Sequence, residues 1–310
     1  MYAGAKAFFY ALSRSTILKR LASQYGLAMG EGFVSRFIAG ETIQEAIEMS
    51  RRLQSQGLLI TLDYLGERVR TLEESTAATR EYVRMMEVIA DAGIDRNISL
   101  KLTQLGIDVD RATCVDNLRR ILEPAARREF FVRIDMENSP YTERTIEIFE
   151  TLWEHEYRGF GVALQSYLRR AEADVRRINA LGARVRLVKG AYKEPSSVAF
   201  QRKGEVDAAF VRLARLLLDE GTYPAMATHD PGVIEEIRAY AAARGLAKDR
   251  FEFQMLYGVR RDLQASLVAA GHRVRVYVPF GREWFPYIMR RLGERPANVS
   301  FVLKALVRER

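Results

Sequence analysis

The chain has 310 residues, 48% of them hydrophobic, which is enough to bury a large core, and its formal net charge is +8. No apolar run reaches the length of a membrane span. The arginines are scattered and carry no zinc-finger or nucleic-acid-binding signature, and a lone Cys114 excludes an internal disulfide. What remains is a large α/β chain suited to a reducing cytoplasm, with no metal and no nucleic acid expected.

The opening stretch, "MYAGAKAFFYALSRSTILKR", meets Arg14, Lys19 and Arg20 soon after a short apolar patch, so a secretory signal is not expected. Residues 1–50 read as a helical arm and residues 51–310 as the main body. The first thirty residues could pack on that body, or touch an anionic membrane or another subunit. From about residue 57, short strand-like runs alternate with longer amphipathic helical ones. The runs are "LLITLD" (58–63), "ISLKLT" (98–103), "FFVRIDM" (130–136) and "FGVALQ" (160–165). They continue with "RVRLVKG" (184–190), "YPAMATH" (223–229), "FEFQML" (251–256) and "RVRVYVP" (273–279). Stretches such as "REYVRMMEVIADAG" lie between them. Eight β-then-α units predict a (β/α)8 barrel.

Within each run, alternate side chains point to opposite faces. One face is apolar, as in Leu58/Ile60/Leu62 and Val274/Val276/Val278, and should meet the helices. The other carries Asp63, Lys101, Asp135, Gln165, Arg186, Gln254 and Tyr277 near the C-terminal ends. Barrel active sites form at that end, and buried charges must be paired or bind a ligand. Two readings follow: ion pairs that plug the mouth, or a polar site for a ligand.

Single residues leave alternatives open. Lys101 or Lys189 could form a Schiff base, or Lys189 in "VKGAY" could neutralise a phosphate beside Gly190. His229 in "ATHD" could start a helix or bind a cofactor. Cys114 falls on a predicted helix and reads as core filler. No G-x-G-x-x-G follows an early strand, so a redox cofactor would have to sit on the barrel mouth. In "YIMRRLGERPAN" (287–298), Arg290 and Arg291 share a helix with Tyr287 and Glu294. The pair could be an ordinary surface feature, or could grip a carboxylate with two guanidinium forks.

The motifs "SLKLTQLG", "VRIDMENS", "VALQSYLRR", "RLVKGAYKE", "ATHD", "FEFQMLYGV", "RVYVPFG" and "YIMRRLGERPAN" follow one another in the order found in proline dehydrogenases. "SRFIAGET" (35–42) resembles the N-terminal segment of that family, so the resemblance spans about residues 35–300. The chain looks like a stand-alone bacterial member. The resemblance implies a distorted (β/α)8 barrel with its last helix over the strand ends, holding noncovalent FAD. It implies oxidation of L-proline to Δ1-pyrroline-5-carboxylate by hydride transfer to flavin N5, the first step of proline catabolism to glutamate. A membrane quinone would take the electrons at the inner face of the membrane, and a separate pyrroline-5-carboxylate dehydrogenase would take the product.

By the same resemblance Arg290, Arg291 and Lys101 bind the proline carboxylate. Tyr277, Tyr287, Leu256 and Tyr192 enclose its ring, and Glu294 braces the clamp. Asp135, as base or organiser, and Arg186 are the catalytic pair. Met136, Gln165, Arg186, Lys189, Gly190, Ala191, Tyr192, Thr228, His229 and Gln254 contact FAD. Lys193 stands where many relatives carry Trp, a local departure at the flavin edge. Tyr277 is the larger of the residues that the family places there, which favours proline over hydroxyproline.

Overall fold

A computed structural model of the chain describes residues 34–66, 68–155 and 157–288. Most of the expected arm, and Arg290, Arg291 and Glu294, lie outside the described residues.

Eight strands form a closed barrel: β1 (Leu59–Tyr64), β2 (Asn97–Leu100), β3 (Phe131–Ile134), β4 (Phe160–Gln165), β5 (Arg184–Val188), β6 (Ala225–Ala227), β7 (Glu252–Leu256) and β8 (Arg273–Phe280). All neighbours are parallel, and β8 closes on β1 from Leu59↔Arg275 to Tyr64↔Phe280. The helices are α1 (Val34–Phe37), α2 (Ile43–Gln54), α3 (Leu72–Ala92), α4 (Arg111–Arg127), α5 (Thr142–Glu154), α6 (Ala171–Ala180), α7 (Lys203–Glu220), α8 (Pro231–Ala243) and α9 (Arg261–Ala269). All eight expected runs hold a strand, but several strands are shorter than expected. "ISLKLT" pairs only as far as Leu100, and Lys101 turns out of the ladder into the loop above the barrel.

The alternation explains the layering. Ile60, Leu62, Ile98, Leu100, Val132 and Val276 are fully buried on the outer face of the sheet. Each such side chain stabilises the fold by about 1.5–3 kcal/mol. The helices start where short polar residues cap them. Thr42 with Glu45, and Thr71 with Glu74, form reciprocal capping boxes at α2 and α3. Helix α2 buries Ala46, Ile47 and Leu53 and packs against β1 and β8, across the seam that closes the barrel.

The interior differs from an aliphatic barrel core, because it is charged at two levels. Below the mouth, Arg275 Nε donates to Glu252 Oε1 at 2.8 Å, and its Nη1 donates to Asp95 Oδ2 at 2.6 Å and to the Ile60 carbonyl. Arg133 Nη1 donates to the Val162 and Arg184 carbonyls at 3.2 and 2.6 Å. Room for these side chains comes from β4: a Cβ at Gly161 would lie 2.3 Å from the Arg184 carbonyl and 2.7 Å from Arg133 Nη1. Polar groups are expected from the sequence only at the mouth, so this lower tier is an addition to that expectation.

Candidate active site

At the strand C-terminal ends, five expected residues meet. Lys101 Nζ donates to Asp135 Oδ2 at 3.2 Å, to Asp63 Oδ1 at 3.1 Å and to the Tyr277 hydroxyl at 3.4 Å. Tyr277 donates its O–H to Asp135 Oδ2 at 2.7 Å. Arg186 Nη1 donates to Asp135 Oδ1 at 2.6 Å, its Nη2 to Ser99 Oγ at 3.0 Å, and its Nε to Gln254 Oε1 at 2.5 Å. Its guanidinium also lies 5.3 Å from the Tyr277 ring centroid. Lys101, Arg186 and Tyr277 thus converge on one carboxylate, and Asp63 of β1, Ser99 of β2 and Gln254 of β7 hold two of those three donors from behind. Asp63 appears among the inner-face residues of the sequence, but only this geometry gives it a partner.

Electrostatics fix the protonation states. Burial pushes the Asp135 carboxyl up, but the charges of Lys101 and Arg186 and the Tyr277 hydrogen bond outweigh it and hold the group below its ordinary value. Burial, with the Asp135 charge beside it, pushes the Tyr277 phenol well above its ordinary value. Asp135 is therefore an acceptor of three hydrogen bonds and Tyr277 a donor. Cys114 takes no part: burial raises its thiol to about 12, and its Sγ faces the Leu102 carbonyl.

The remaining expected residues among those described follow β3 to β8. Gln165 ends β4, and its Oε1 and the neighbouring Ser166 Oγ are buried with no hydrogen-bond partner among the described residues. Lys189, Thr228 and His229 line an open cavity with Lys203, Asp230 and Arg260. Lys189 Nζ donates to Asp207 and to Asp230 Oδ2 (3.2 Å), and Lys203 also bonds both carboxylates. Asp230 caps α8 through the Gly232 amide at 3.1 Å. Burial raises its carboxyl, but bonds from Lys203 and Lys189 lower it to about 2. His229 Nε2 accepts the Leu256 N–H at 2.8 Å, so in the neutral ring the proton sits on Nδ1. Lys203, which opens α7, carried no signal in the sequence.

Gly190 has φ of +109°, and a Cβ there would come within 2.3 Å of the Tyr167 ring, so only glycine fits. The following loop carries Ala191 and Tyr192. It is clasped by Glu194, which accepts from Ser139 N at 2.7 Å and from Ser139 Oγ at 2.5 Å. Met136 and Tyr287 are buried, and Leu256 is half-buried at the end of β7. Tyr287 lies in a helical segment at 284–288 whose Trp284 Nε1 donates to Glu41 Oε1 at 3.0 Å.

A family model described as proline dehydrogenase matches residues 46–304. The chain is 39% identical over 302 residues to proline dehydrogenase 2 of Bacillus subtilis, covering 97% of this chain and 98% of that one. It is 39% identical over 277 residues to the proline dehydrogenase of Deinococcus radiodurans, covering 88% and 89%. A solved structure of proline utilization A from Bdellovibrio bacteriovorus, inactivated by N-propargylglycine, superposes with a TM-score of 0.79 at 27% identity. That match covers 84% of this chain and 32% of the larger protein. The chain belongs to the proline dehydrogenase family.

Proposed function

We propose that the chain oxidises L-proline to Δ1-pyrroline-5-carboxylate at the mouth of the barrel, with noncovalent FAD as its cofactor. The observation that carries this is the convergence of Lys101, Arg186 and Tyr277 on Asp135, set in a chain of the proline dehydrogenase family. The residues present fit a flavin dinucleotide. Lys189 and Lys203, at the start of α8, hold Asp207 and Asp230 in this structure, and a diphosphate could take over those bonds beside the helix N-terminus. Gln165 Oε1 and Ser166 Oγ are buried acceptors awaiting a partner. Three of the five N–H groups of Arg186 have partners among the described residues, which leaves donors for a ligand. Met136, Gly190, Ala191, Tyr192, Thr228, His229 and Gln254 complete the proposed cofactor contacts. Bound FAD supplies the two-electron acceptor that the protein itself lacks.

The side chains divide the remaining tasks. Lys101 offers the proline carboxylate a cation at the end of β2, and Arg290 and Arg291 add two guanidinium forks braced by Glu294. Tyr277, Tyr287, Leu256 and Tyr192 enclose the ring and exclude water. Asp135, held ionised by three donors, is a weak base. It organises Lys101, Arg186 and Tyr277 and does not take the substrate proton. Arg186 places positive charge where the reduced cofactor needs it. Proline must arrive with a neutral amine, since a protonated one disfavours loss of hydride from the adjacent carbon, and orientation supplies most of the acceleration.

Electrons would pass to a membrane quinone, with the protein cytoplasmic and peripheral at the inner membrane face, and a separate dehydrogenase would consume the product. No helix among the described residues is long and apolar enough to cross a membrane. The test is an anaerobic absorbance spectrum before and after adding L-proline. A flavin spectrum that bleaches supports the proposal. A flavin that persists removes proline as the substrate, and a protein that binds no FAD removes the cofactor.

A further inference from the structure

Arg186 is held from below as well as from the mouth. Its Nε donates to Gln254 Oε1 at 2.5 Å, and Gln254 Nε2 in turn donates to Glu252 Oε1. Glu252 also accepts from Arg275 Nε at 2.8 Å and from the Tyr223 hydroxyl at 3.1 Å. Tyr223 receives Arg273 Nη1 at 3.3 Å on the strand N-terminal side of the barrel. One chain of hydrogen bonds thus runs through the barrel from Arg273 to Asp135.

We propose that Glu252, acting through Gln254, is a positioning residue that sets the orientation of the Arg186 guanidinium at the active site. The chemistry of the three groups leaves one arrangement. A carboxylate only accepts and a guanidinium only donates, while an amide has one end of each kind. Glu252 therefore turns the NH2 of Gln254 towards itself and the carbonyl towards Arg186. A glutamate at 254 would set two carboxylates against each other, and an apolar residue would leave Arg186 Nε and Glu252 each short of a partner. Glu252 and Gln254 are both buried, so water does not replace either bond. Burial raises the Glu252 carboxyl, but Arg275 and Gln254 together hold it below its ordinary value, which keeps it an acceptor. The chain is not a proton wire, because the amide and the guanidinium within it do not pass protons on.

Where Arg186 acts rests on the flavin reading above; the strut itself rests on the hydrogen bonds. Glu252→Gln strips a counter-charge from Arg275 and endangers the fold, so Gln254→Met, of similar length and apolar, carries the test. Two readouts are taken on the holoenzyme. The first is kinetic and redox. Losing a hydrogen bond to a charged group should lower kcat for proline about tenfold to a hundredfold with KM little changed, and should make the midpoint potential of the bound flavin more negative. The second is solvent exchange of the Arg186 Nε–H in 15N-arginine-labelled protein, its signal assigned by its loss in Arg186→Lys. Exchange should be slow in the parent protein and clearly faster in Gln254→Met. Support requires both readouts to move. Slower turnover with unchanged exchange overturns the proposal, since Gln254 would then act by its own contact. Faster exchange with parental kcat and potential, or no change in either readout, overturns it as well. Should the parent protein bind no flavin, the function proposed above fails, and the strut is judged on exchange alone.

Discussion

In the lower tier of the barrel interior, the arginines bond to the backbone: Arg275 to the Ile60 carbonyl, Arg133 to those of Val162 and Arg184. In the upper tier, the bonds shown by Lys101, Arg186 and Tyr277 run from side chain to side chain. The side chains of Arg275 and Glu252 are 9% and 3% exposed, while those of Lys101 and Asp135 are 21% and 14%. Both tiers pair acids with bases, yet the first staples strands together and the second can exchange partners. A carbonyl cannot leave its strand, whereas under the proposed function Lys101 would trade a carboxylate of the protein for that of the substrate. On that proposal the same residue types serve stability below and binding above.

The largest expected effect tests the lower tier. Arg275→Met leaves Glu252 as a buried charge and Asp95 as a part-buried one without their partner, and stability should fall by about 3–5 kcal/mol in denaturant unfolding. A loss under 1 kcal/mol would show that the tier is not a staple. Lys101→Arg, which keeps a cation beside the buried Asp63 and beside Asp135, should do the reverse. It should lower kcat/KM for proline by about 1.5–3 kcal/mol while unfolding shows less than half of the Arg275→Met loss. Equal destabilisation by the two variants would erase the distinction between tiers. Arg290→Lys or Arg291→Lys should raise KM for proline by a similar 1.5–3 kcal/mol, since lysine lacks the fork, and an unchanged KM rejects the clamp. Tyr277→Phe removes one of three donors to Asp135 and keeps the ring, so kcat/KM should drop by about 1.5 kcal/mol. Parental kinetics there would mean that the hydroxyl has no role in the site.

The smallest effect concerns His272, below the mouth, where Arg238 Nε donates to its Nε2 at 3.0 Å. Burial, then the nearby charges of Arg238 and Lys248, hold its pKa below the ordinary 6.5. A group that folds neutral stabilises above the unfolded value and loses that contribution as pH falls below it. The slope is at most about 1.4 kcal/mol per pH unit. Unfolding measured from pH 7 to 5 should show this slope, and His272→Gln should flatten it. An identical slope in the variant would sink the assignment.

The barrel was legible because its strands alternate. Asp135, Gln254 and Tyr277 were found as polar residues on the face opposite an apolar one. Arg133, Glu252 and Arg275 lie two residues earlier in the same runs and on the same face, so the signal that gave the upper tier also contained the lower. What alternation does not give is partnership. Asp95 lies before β2, outside any strand, and nothing local ties it to Arg275, 180 positions away. Lys203 and Asp207 join Asp230 through a helix and a loop from separate units. The Glu194–Ser139 clasp likewise needs two loops to meet, which spacing along a chain does not encode.

The pairing of β8 with β1 also bears on how the protein is made. The Ile60 carbonyl waits for an arginine 215 positions downstream, and Asp135 for a tyrosine 142 downstream. A ribosome releasing this chain has exposed seven strands before the Ile60 carbonyl meets that arginine or Asp135 gains its third donor. The half-made barrel therefore carries unmatched charge along its axis and an open edge at β1. Its last strand closes the sheet and brings Arg275 to Glu252 and Asp95 in one event, so translation pauses ahead of β8 would prolong the interval in which a growing chain is exposed to chaperones or aggregation.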